Sequence, residues 1–459
     1  MKKLFLMMLI PLWLLMPEVK SQQQQADTTT RFFSLDEARA FAKENNYDVI
    51  NALKDIESAR QKVKETTAIG LPQISGSVAY NDYIDIPTML LPGVFAQIFD
   101  PSWPADVPYP AQFGTKYNLA ASATASMLLF SGEYIVGLQA SRVFVDFSQK
   151  QYSKMVIQLD KSVAESYYLV LIAERNKTII DSTLVSLMEI KKANDALYEN
   201  GFIEDTDVDQ VNLLISDLQA TLINIDNNLA ISKNLLKFTM GLKLENEIVL
   251  SDDLDALLER VDKEVLYQAP FDFRKNIDYK ILENQQELAN LDLKRYKSQY
   301  LPQLYTFLNY QETAAREDWN FLKSGEDWYR STIWGVQLDV PIFQSGARSA
   351  KVSQAKIQLD QLQVIDQKLR SGLEIQVSTV RNNFLNSCKV YQNKQQSLDL
   401  SLRIYTKTQQ KLLEGVSSSI ELQQNYNQYL NSERDYVMSI LDLLNNKLQL
   451  EELLTESKE

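Results

Sequence analysis

The amino-acid sequence predicts a mainly α-helical, internally duplicated protein with a small β part. Proline, the strongest helix breaker, is missing from residues 111–269 and again from residue 342 to the end. Glycine supplies only 13 of the 459 residues, so few turns are available and long helices are implied. Four short segments instead alternate apolar with small or polar residues, which is the pattern of half-buried strands.

The first element in chain order is a signal peptide, predicted over residues 1–21. Two lysines precede the apolar run 4–16, and Val19 and Ser21 occupy the −3 and −1 positions of a cleavage site. The run is thirteen residues long and contains Pro11, so it is too short to span about 30 Å of hydrocarbon. We therefore expect an exported protein whose mature chain has no transmembrane helix.

The first structural repeat is predicted over residues 22–245 and opens with a helix. Ser34 and Glu37 form the Ser-x-x-Glu pattern of a capping box, which marks the start of that helix. Two strands follow, at about 73–84 and 117–130.

A surface loop and two long helices complete this repeat. The stretch 87–110 between the strands is rich in proline and nearly uncharged, which is typical of a surface loop. From residue 133 to residue 200 the sequence allows about 100 Å of continuous helix at 1.5 Å per residue. Apolar residues recur there every seven positions, the period of coiled-coil contact. The two helices are predicted to turn at 201–206.

The second repeat, predicted over residues 276–459, copies this pattern at an offset of 214. Gly132 and Gly201 return as Gly346 and Gly415, so both spacings are 69 residues (201 − 132 and 415 − 346). Upstream the offset is 230, and the sixteen extra residues fall in the proline-rich stretch. The second pair of strands is predicted at about 303–311 and 332–343, the helical turn at 415–420, and the connection between the repeats at 246–275.

The four strands need partners. Strands of about ten residues with one apolar and one polar face suit a transmembrane barrel with a wet lumen, or an ordinary half-buried sheet. In lipid an open sheet edge is forbidden, so several chains would have to share one barrel. Two chains supply eight strands and three supply twelve, and only the larger number leaves an obvious open lumen.

Composition excludes several classes of function. The chain has 47 basic and 60 acidic residues, a net charge of −13, which makes nucleic acid a poor partner. It has no histidine, and its one cysteine, Cys388, is predicted to be a small buried apolar residue on a helix. No phosphate-binding loop or nucleophile motif occurs. We expect no catalytic, cofactor or metal site, and hence no enzyme.

The ordered set of motifs resembles the TolC family of outer-membrane efflux proteins over about residues 34–454. The residues that carry the resemblance open the strands, lead into the long helices and form the two turns: Leu71-Pro72-Gln73, Leu301-Pro302-Gln303, Phe130-Ser131-Gly132, Phe343-Gln344-Ser345-Gly346, Gly201–Val208 and Gly415–Leu422. The resemblance implies a homotrimer with a periplasmic α-barrel and a 12-stranded membrane β-barrel to which each chain gives four strands. It places residues 246–275 in an equatorial region.

The same resemblance implies a location, partners and a site. Such a protein lies in the Gram-negative outer membrane, surrounded by lipid, extends into the periplasm and works with a periplasmic adaptor protein and an inner-membrane pump. The helical turns form a periplasmic gate, and the positions that match it here are Thr206, Asp207, Glu421 and Gln424. The turns that would dock the adaptor contain Gly201, Phe202, Gly415 and Val416.

Alternatives remain open at this point. The family's best-known member has an arginine where this chain has Ser417, so the gate position is matched better than the contacts that lock it. Asp207 and Glu421 also suit the first turn of a helix without any gating role. The leading function is a passive exit duct of a tripartite pump for drugs or other small molecules. The alternatives are a type I protein secretion component and a non-channel coiled-coil scaffold or adaptor.

Overall fold

A computed structural model describes residues 30–259 and 267–455 of the chain. The predicted signal peptide, residues 1–21, lies outside the described residues. The α-helices are α1 (Leu35–Asn45), α2 (Tyr47–Ile69), α3 (Gly93–Ala96), α4 (Gly132–Glu199), α5 (Asp205–Met240), α6 (Leu254–Glu259), α7 (Ile277–Ser298), α8 (Ala347–Leu413) and α9 (Ser419–Leu454). The strands are β1 (Arg31–Phe33), β2 (Gln73–Asp82), β3 (Thr88–Leu91), β4 (Tyr109–Gln112), β5 (Tyr117–Phe130), β6 (Ile248–Leu250), β7 (Gln303–Arg316) and β8 (Tyr329–Asp339).

The long helices confirm the internal duplication. Helices α5 and α9 each have 36 residues, and both of their ends differ by 214 in number. Helices α4 and α8 have 68 and 67 residues and end 214 positions apart. Each of these two is therefore about 100 Å long.

Matching residues start matching helices in the two repeats. The capping box at Ser34 is confirmed: its Oγ accepts from the backbone N–H of Glu37, whose carboxylate accepts from the backbone N–H of Ser34 at 2.8 Å. Asn46 caps α2 by accepting from the N–H of Asp48 at 2.8 Å. Asn276 caps α7 in the same way from Asp278 at 2.9 Å.

Strands and helices follow one lateral order. The main sheet is antiparallel with the order β2-β5-β7-β8, so β5 and β7 join the two repeats. The helices join the strands at one end of the sheet. There α2 packs against α4, α4 against α7 and α7 against α8. Each strand is adjacent in sequence to the helix at the same place in this order, so β2 with α2 and β8 with α8 form the two lateral edges of the chain.

Four strand boundaries differ from the predictions. Strand β8 begins at Tyr329, where the hairpin ladder ends at the pair Thr313–Tyr329, and β7 continues to Arg316 because it also pairs with β5 as far as Tyr117. Strand β8 ends at Asp339 and not at 343, since Pro341 has no N–H to continue a ladder. Strand β2 ends at Asp82, two residues earlier than predicted.

The proline-rich stretch 87–110 is more ordered than a simple loop. It contains most of an antiparallel pair, β3 with β4, and the single-turn helix α3. The sequence gives no periodicity there, because both strands have only four residues.

Among the described residues, the buried apolar side chains form two clusters. The central core joins the middle of α4 and α8 to α1, α6 and the end of α9, and contains Val163, Phe384 and Leu444. The tip core lies nearer the helical turns and contains Leu187 and Leu422, both fully buried. Within the described ranges, no helix combines the length and the apolar composition that a membrane crossing needs.

A short parallel strand pair and a hydrogen-bonded tyrosine border the central core. Strands β1 and β6 form a parallel pair, which joins the chain start to the connection between the repeats. The hydroxyl of Tyr167 donates to the carbonyl of Phe33 at 2.9 Å and to Asp252 Oδ2 at 3.0 Å. Burial raises the pKa of Tyr167 well above its ordinary value, so the hydroxyl stays a donor.

Candidate functional site

The main sheet has one apolar face, and that face is open. Its register aligns apolar residues from all four strands: Ile74 and Val78 of β2, Ala121, Ala123 and Ala125 of β5, Leu304 and Leu308 of β7, and Trp334, Val336 and Leu338 of β8. Ile74 is 81% exposed and Trp334 is 71% exposed. No described part of the chain covers this band, so its environment must come from outside the chain.

The opposite face is polar and hydrogen-bonded within itself. The Ser77 and Ser122 hydroxyls lie 2.8 Å apart, and Asn309 Nδ2 donates to Thr124 Oγ1 at 2.7 Å. Among the residues of β2, β5, β7 and β8 on this face, Asp339 alone is charged. A face of hydroxyls and amides with almost no charge suits contact with water but selects little by charge.

Aromatic rings mark one end of the apolar band. Phe321, from the loop 317–328 between β7 and β8, is buried edge-on against Tyr80 with ring centroids 6.2 Å apart. Trp319 and Trp328 contact Phe321 in turn, at 6.2 and 6.5 Å. Aromatic girdles flank the apolar band of membrane β-barrels at the water interface, so this cluster fits a membrane boundary.

At the other end of the molecule, the two long helix pairs turn through the same motif. Gly201 and Gly415 have φ of +75° and +74°, a conformation that favours glycine. In each turn the next residue donates its N–H to a carbonyl five positions back, Phe202 to Leu197 and Val416 to Lys411. The Phe202 and Val416 side chains are 77% and 74% exposed, so these turns present apolar groups at the tip.

The predicted gate residues do not form one cluster within a chain. Asp207 is half-buried in a cleft of about 420 Å³ between the two turns, beside Ser417. Glu421 lies outside that cleft, and its carboxylate accepts from Ser417 Oγ at 2.8 Å. Thr206 Oγ1 donates to Glu204 at 3.4 Å, and Gln424 is exposed.

Sequence reasoning missed two features of the tip. The first turn holds four acids in six residues, Glu204, Asp205, Asp207 and Asp209, whereas the aligned part of the second turn holds Glu421 alone. This cluster of acids could have been found from the sequence alone. Asn194, only 2% exposed, lines the cleft with its Nδ2 unpaired, and no pattern in the sequence predicts this.

Tyrosine rings pack against one another along the helix pair of the second repeat. The Tyr405 ring stacks on Tyr429 at 5.6 Å and contacts Tyr426 at 5.4 Å. Burial raises the pKa of Tyr429 to about 12. Among residues 30–259 and 267–455, no group of three or more acidic or cysteine side chains is placed to hold a metal ion.

A family model described as outer membrane efflux protein matches residues 38–242 and 279–456. The chain belongs to the outer membrane efflux protein family. The predicted resemblance is thereby confirmed, and the role of this family is that of an outer-membrane efflux channel. No curated protein sequence matches the chain significantly.

Solved structures of this kind share the fold along nearly the whole chain. CusC is 16% identical with a TM-score of 0.71, covering 95% of this chain and 96% of its own. The MtrE outer membrane channel of Neisseria gonorrhoeae, in its open state, is 14% identical with a TM-score of 0.69, covering 92% and 88%. The CmeC outer membrane channel of Campylobacter jejuni is 17% identical with a TM-score of 0.67, covering 93% and 87%. These similarities confirm the predicted fold class.

Proposed function

We propose that the protein is the passive exit duct of a tripartite efflux pump, which exports drugs or other small molecules across the Gram-negative envelope. The observation that carries this proposal is the two-faced sheet. Its apolar face is open to the surroundings, its polar face is hydrogen-bonded and nearly uncharged, and two of its strands, β5 and β8, lead into helices about 100 Å long.

The open edges support a closed ring of copies. Strands β2 and β8 each expose one unpaired row of backbone groups, which lipid does not tolerate. Pairing β2 of one copy with β8 of the next satisfies both rows, and three copies give a twelve-stranded barrel with an open lumen. Since α2 and α8 lie at the same two edges, the same closure forms a tube of helices.

The tip supplies the proposed gate and docking sites. Three copies would bring three Asp207 and three Glu421 carboxylates to the narrow end of the tube. The exposed apolar side chains of Phe202 and Val416 would then dock a periplasmic adaptor that links the duct to an inner-membrane pump. In this proposal the barrel does not select the cargo by charge, because the polar face of the sheet carries one charged residue per chain, Asp339.

The other two candidate functions have less support from the structure. A coiled-coil scaffold outside the membrane would leave the apolar band, with Ile74 and Trp334, exposed to water, and no contact would offset the free energy that this exposure costs. A type I secretion component would have the same wall, and no observation favours it.

One pair of substitutions tests the membrane assignment. Val336→Arg places a charge on the apolar face and is expected to cost roughly 2–4 kcal/mol near the bilayer midplane. The adjacent Gln337→Arg places the same charge on the polar face and is the matched control. We expect the first variant to lower the amount of assembled protein in outer membranes and the second to leave it near the wild-type amount. Equal yields of the two variants would contradict the proposal.

Small-molecule export has its own test. The chain, expressed with a partner adaptor and pump in a strain that lacks its outer-membrane channels, should lower the accumulation of a fluorescent efflux substrate. Unchanged accumulation, with a correctly assembled protein, would argue for secretion of another cargo.

A further inference from the structure

Residues 84–113, which we name the outer segment, join β2 to β5 and pack into a compact unit. The Trp103 indole N–H donates to the carbonyl of Val107 at 2.9 Å, and the Trp103 ring lies edge-on to Tyr109 at 5.1 Å. A Cβ at Gly93 would come within 2.4 Å of the Val107 carbonyl oxygen, so the backbone is closely packed there. The surface of the outer segment therefore belongs to an ordered unit.

This ordered unit exposes a large apolar surface. Nine large apolar side chains are each more than 40% exposed: Ile84, Met89, Leu90, Val94, Phe95, Ile98, Phe99, Val107 and Phe113. Their summed exposed area is on the order of 1,000 Å², if the exposed fractions are scaled by the low end of the roughly 150–250 Å² of an aromatic side chain. The largest apolar patch of a typical monomer is about 300–600 Å². A standard protein interface buries about 800 Å² per partner, so this surface is large enough for one.

The charges of the outer segment argue against an anionic membrane surface as its partner. The segment has three acids, Asp85, Asp100 and Asp106, and no lysine, arginine or histidine. It would be repelled by phosphate groups and has no side chain to bind them. Next to β2, moreover, Phe321 of the other hairpin loop packs edge-on against Tyr80 at the end of the apolar band.

We propose that the outer segments of neighbouring copies pack against one another at the outer end of the channel. This rests on the proposed closed ring of three chains. The outer segment leaves β2, which is the edge strand that would meet the next copy, so the neighbouring chain is the partner within reach. The contact buries the apolar side chains, joins the three chains at the end opposite the helical tip, and narrows the outer mouth of the duct.

Disulfide trapping in the full-length membrane protein tests this contact. In a Cys388→Ser background, Ile98→Cys places one thiol per chain on a side chain that is 73% exposed in the isolated chain. The proposed contact narrows the outer mouth by bringing the three outer segments together around the three-fold axis, where the same side chain of neighbouring copies can meet. After mild oxidation we therefore expect disulfide-linked dimers on a denaturing gel without reductant. In a ring of three, at most about two thirds of the chains can pair in this way. The matched control, Ser324→Cys on the exposed loop between β7 and β8, should remain single-chain.

The mass of the detergent particle separates this proposal from the proposed function. Particles of three chains without any Ile98→Cys dimer would overturn the outer-segment contact and leave the ring intact. Particles of one chain would overturn the ring itself, and with it this inference.

A second variant tests whether the contact stabilises the ring. Phe95→Ser combined with Ile98→Ser and Phe99→Ser removes apolar surface and should lower the temperature at which the three-chain particle dissociates. Phe99→Leu, which keeps the site apolar, is the control and should dissociate near the wild-type temperature. Circular dichroism should show unchanged helix content in both. If the triple variant dissociates at the wild-type temperature, the apolar contact is contradicted.

Discussion

Gly241 shows how one residue fixes the crossing of several helices. It ends α5 with φ of +74°, and its N–H donates to the carbonyl of Phe238 at 3.0 Å. A Cβ there would lie 2.1 Å from the carbonyl oxygen of Asn45, where α1 meets α2. The neighbouring Asn46 Nδ2 donates to the carbonyl of Thr239 at 2.8 Å. The junction of α1 with α2 is therefore in close contact with the end of α5.

Gly241→Ala should therefore destabilise the protein. Left-handed backbone strain costs on the order of 1–3 kcal/mol for a residue with a side chain. Gly137→Ala is the matched control, since it lies within α4 with no atom near its Cβ, and alanine there should stabilise by about 0.5–1 kcal/mol. Thermal unfolding followed by circular dichroism measures both. If the two variants unfold at the same temperature, the close contact at Gly241 is wrong.

Glu433 is a buried acid on α9 whose charge is poorly compensated. Burial raises the pKa of its carboxyl above the ordinary 4.5, and Asp255 raises it further, while Arg175 and a hydrogen bond with Tyr429 oppose the shift. Arg175 also pairs with Asp255 at 3.3 Å. A raised pKa in the folded state means that stability falls as the pH rises from 4.5 through the folded value.

Glu433→Gln should consequently raise the unfolding temperature at pH 7.5, because the amide carries no charge to bury. The difference from wild type should shrink on acidification and vanish below about pH 4.5, where the carboxyl is protonated in both states. The exposed Glu287→Gln is the control and should show no such pH-dependent gain. A lower unfolding temperature for Glu433→Gln at pH 7.5 would show that the ionised carboxylate stabilises the fold.

Among the elements, the two turns carry the proposed gate. Like charges a few ångströms apart repel, more strongly where water is constricted, so a ring with Asp207 and Glu421 needs compensation in its closed state. Within the chain, Ser417 bonds Glu421 and leaves Asp207 in the cleft. The closed tip should be weakly locked, and its carboxylates should attract polyvalent cations by charge.

Conductance of the purified protein in planar bilayers tests this gate. Polyvalent cations added on the periplasmic side should block the wild type, and Asp207→Ala with Glu421→Ala should relieve the block. Asp339→Asn, on the polar face of the sheet, is the control and should leave the block intact. A block that survives the double substitution would make these acids ordinary helix-start residues.

The elements also show how far sequence reasoning reaches. Glycine spacing and heptads place the turns before α5 and α9 to within two residues, since these helices begin at Asp205 and Ser419, inside the predicted turns 201–206 and 415–420. The pairing of β5 with β7 could not be predicted, since register between distant strands depends on tertiary contacts. The bond from Ser417 to Glu421 and the unpaired amide of Asn194 also depend on how the turns meet. The gate at the turns therefore stays a prediction, and the contacts of its residues could not be derived from the sequence.

At the scale of the whole molecule, one chain has the parts of a duct but cannot close it. Its strands and helices share the same open edges, β2 with α2 and β8 with α8. In the proposed ring, closure by identical copies would satisfy these edges, place the polar face inside and leave the apolar band to lipid. Formation of the proposed duct therefore depends on assembly more than on any single residue.

The oligomeric state of the protein extracted from outer membranes tests this claim most directly. Its particle mass, corrected for bound detergent, should correspond to three chains. On a denaturing gel the unheated particle should migrate differently from the boiled chain, because a closed barrel resists unfolding by detergent. A particle of a single chain, with the same migration before and after heating, would contradict the closed three-chain barrel.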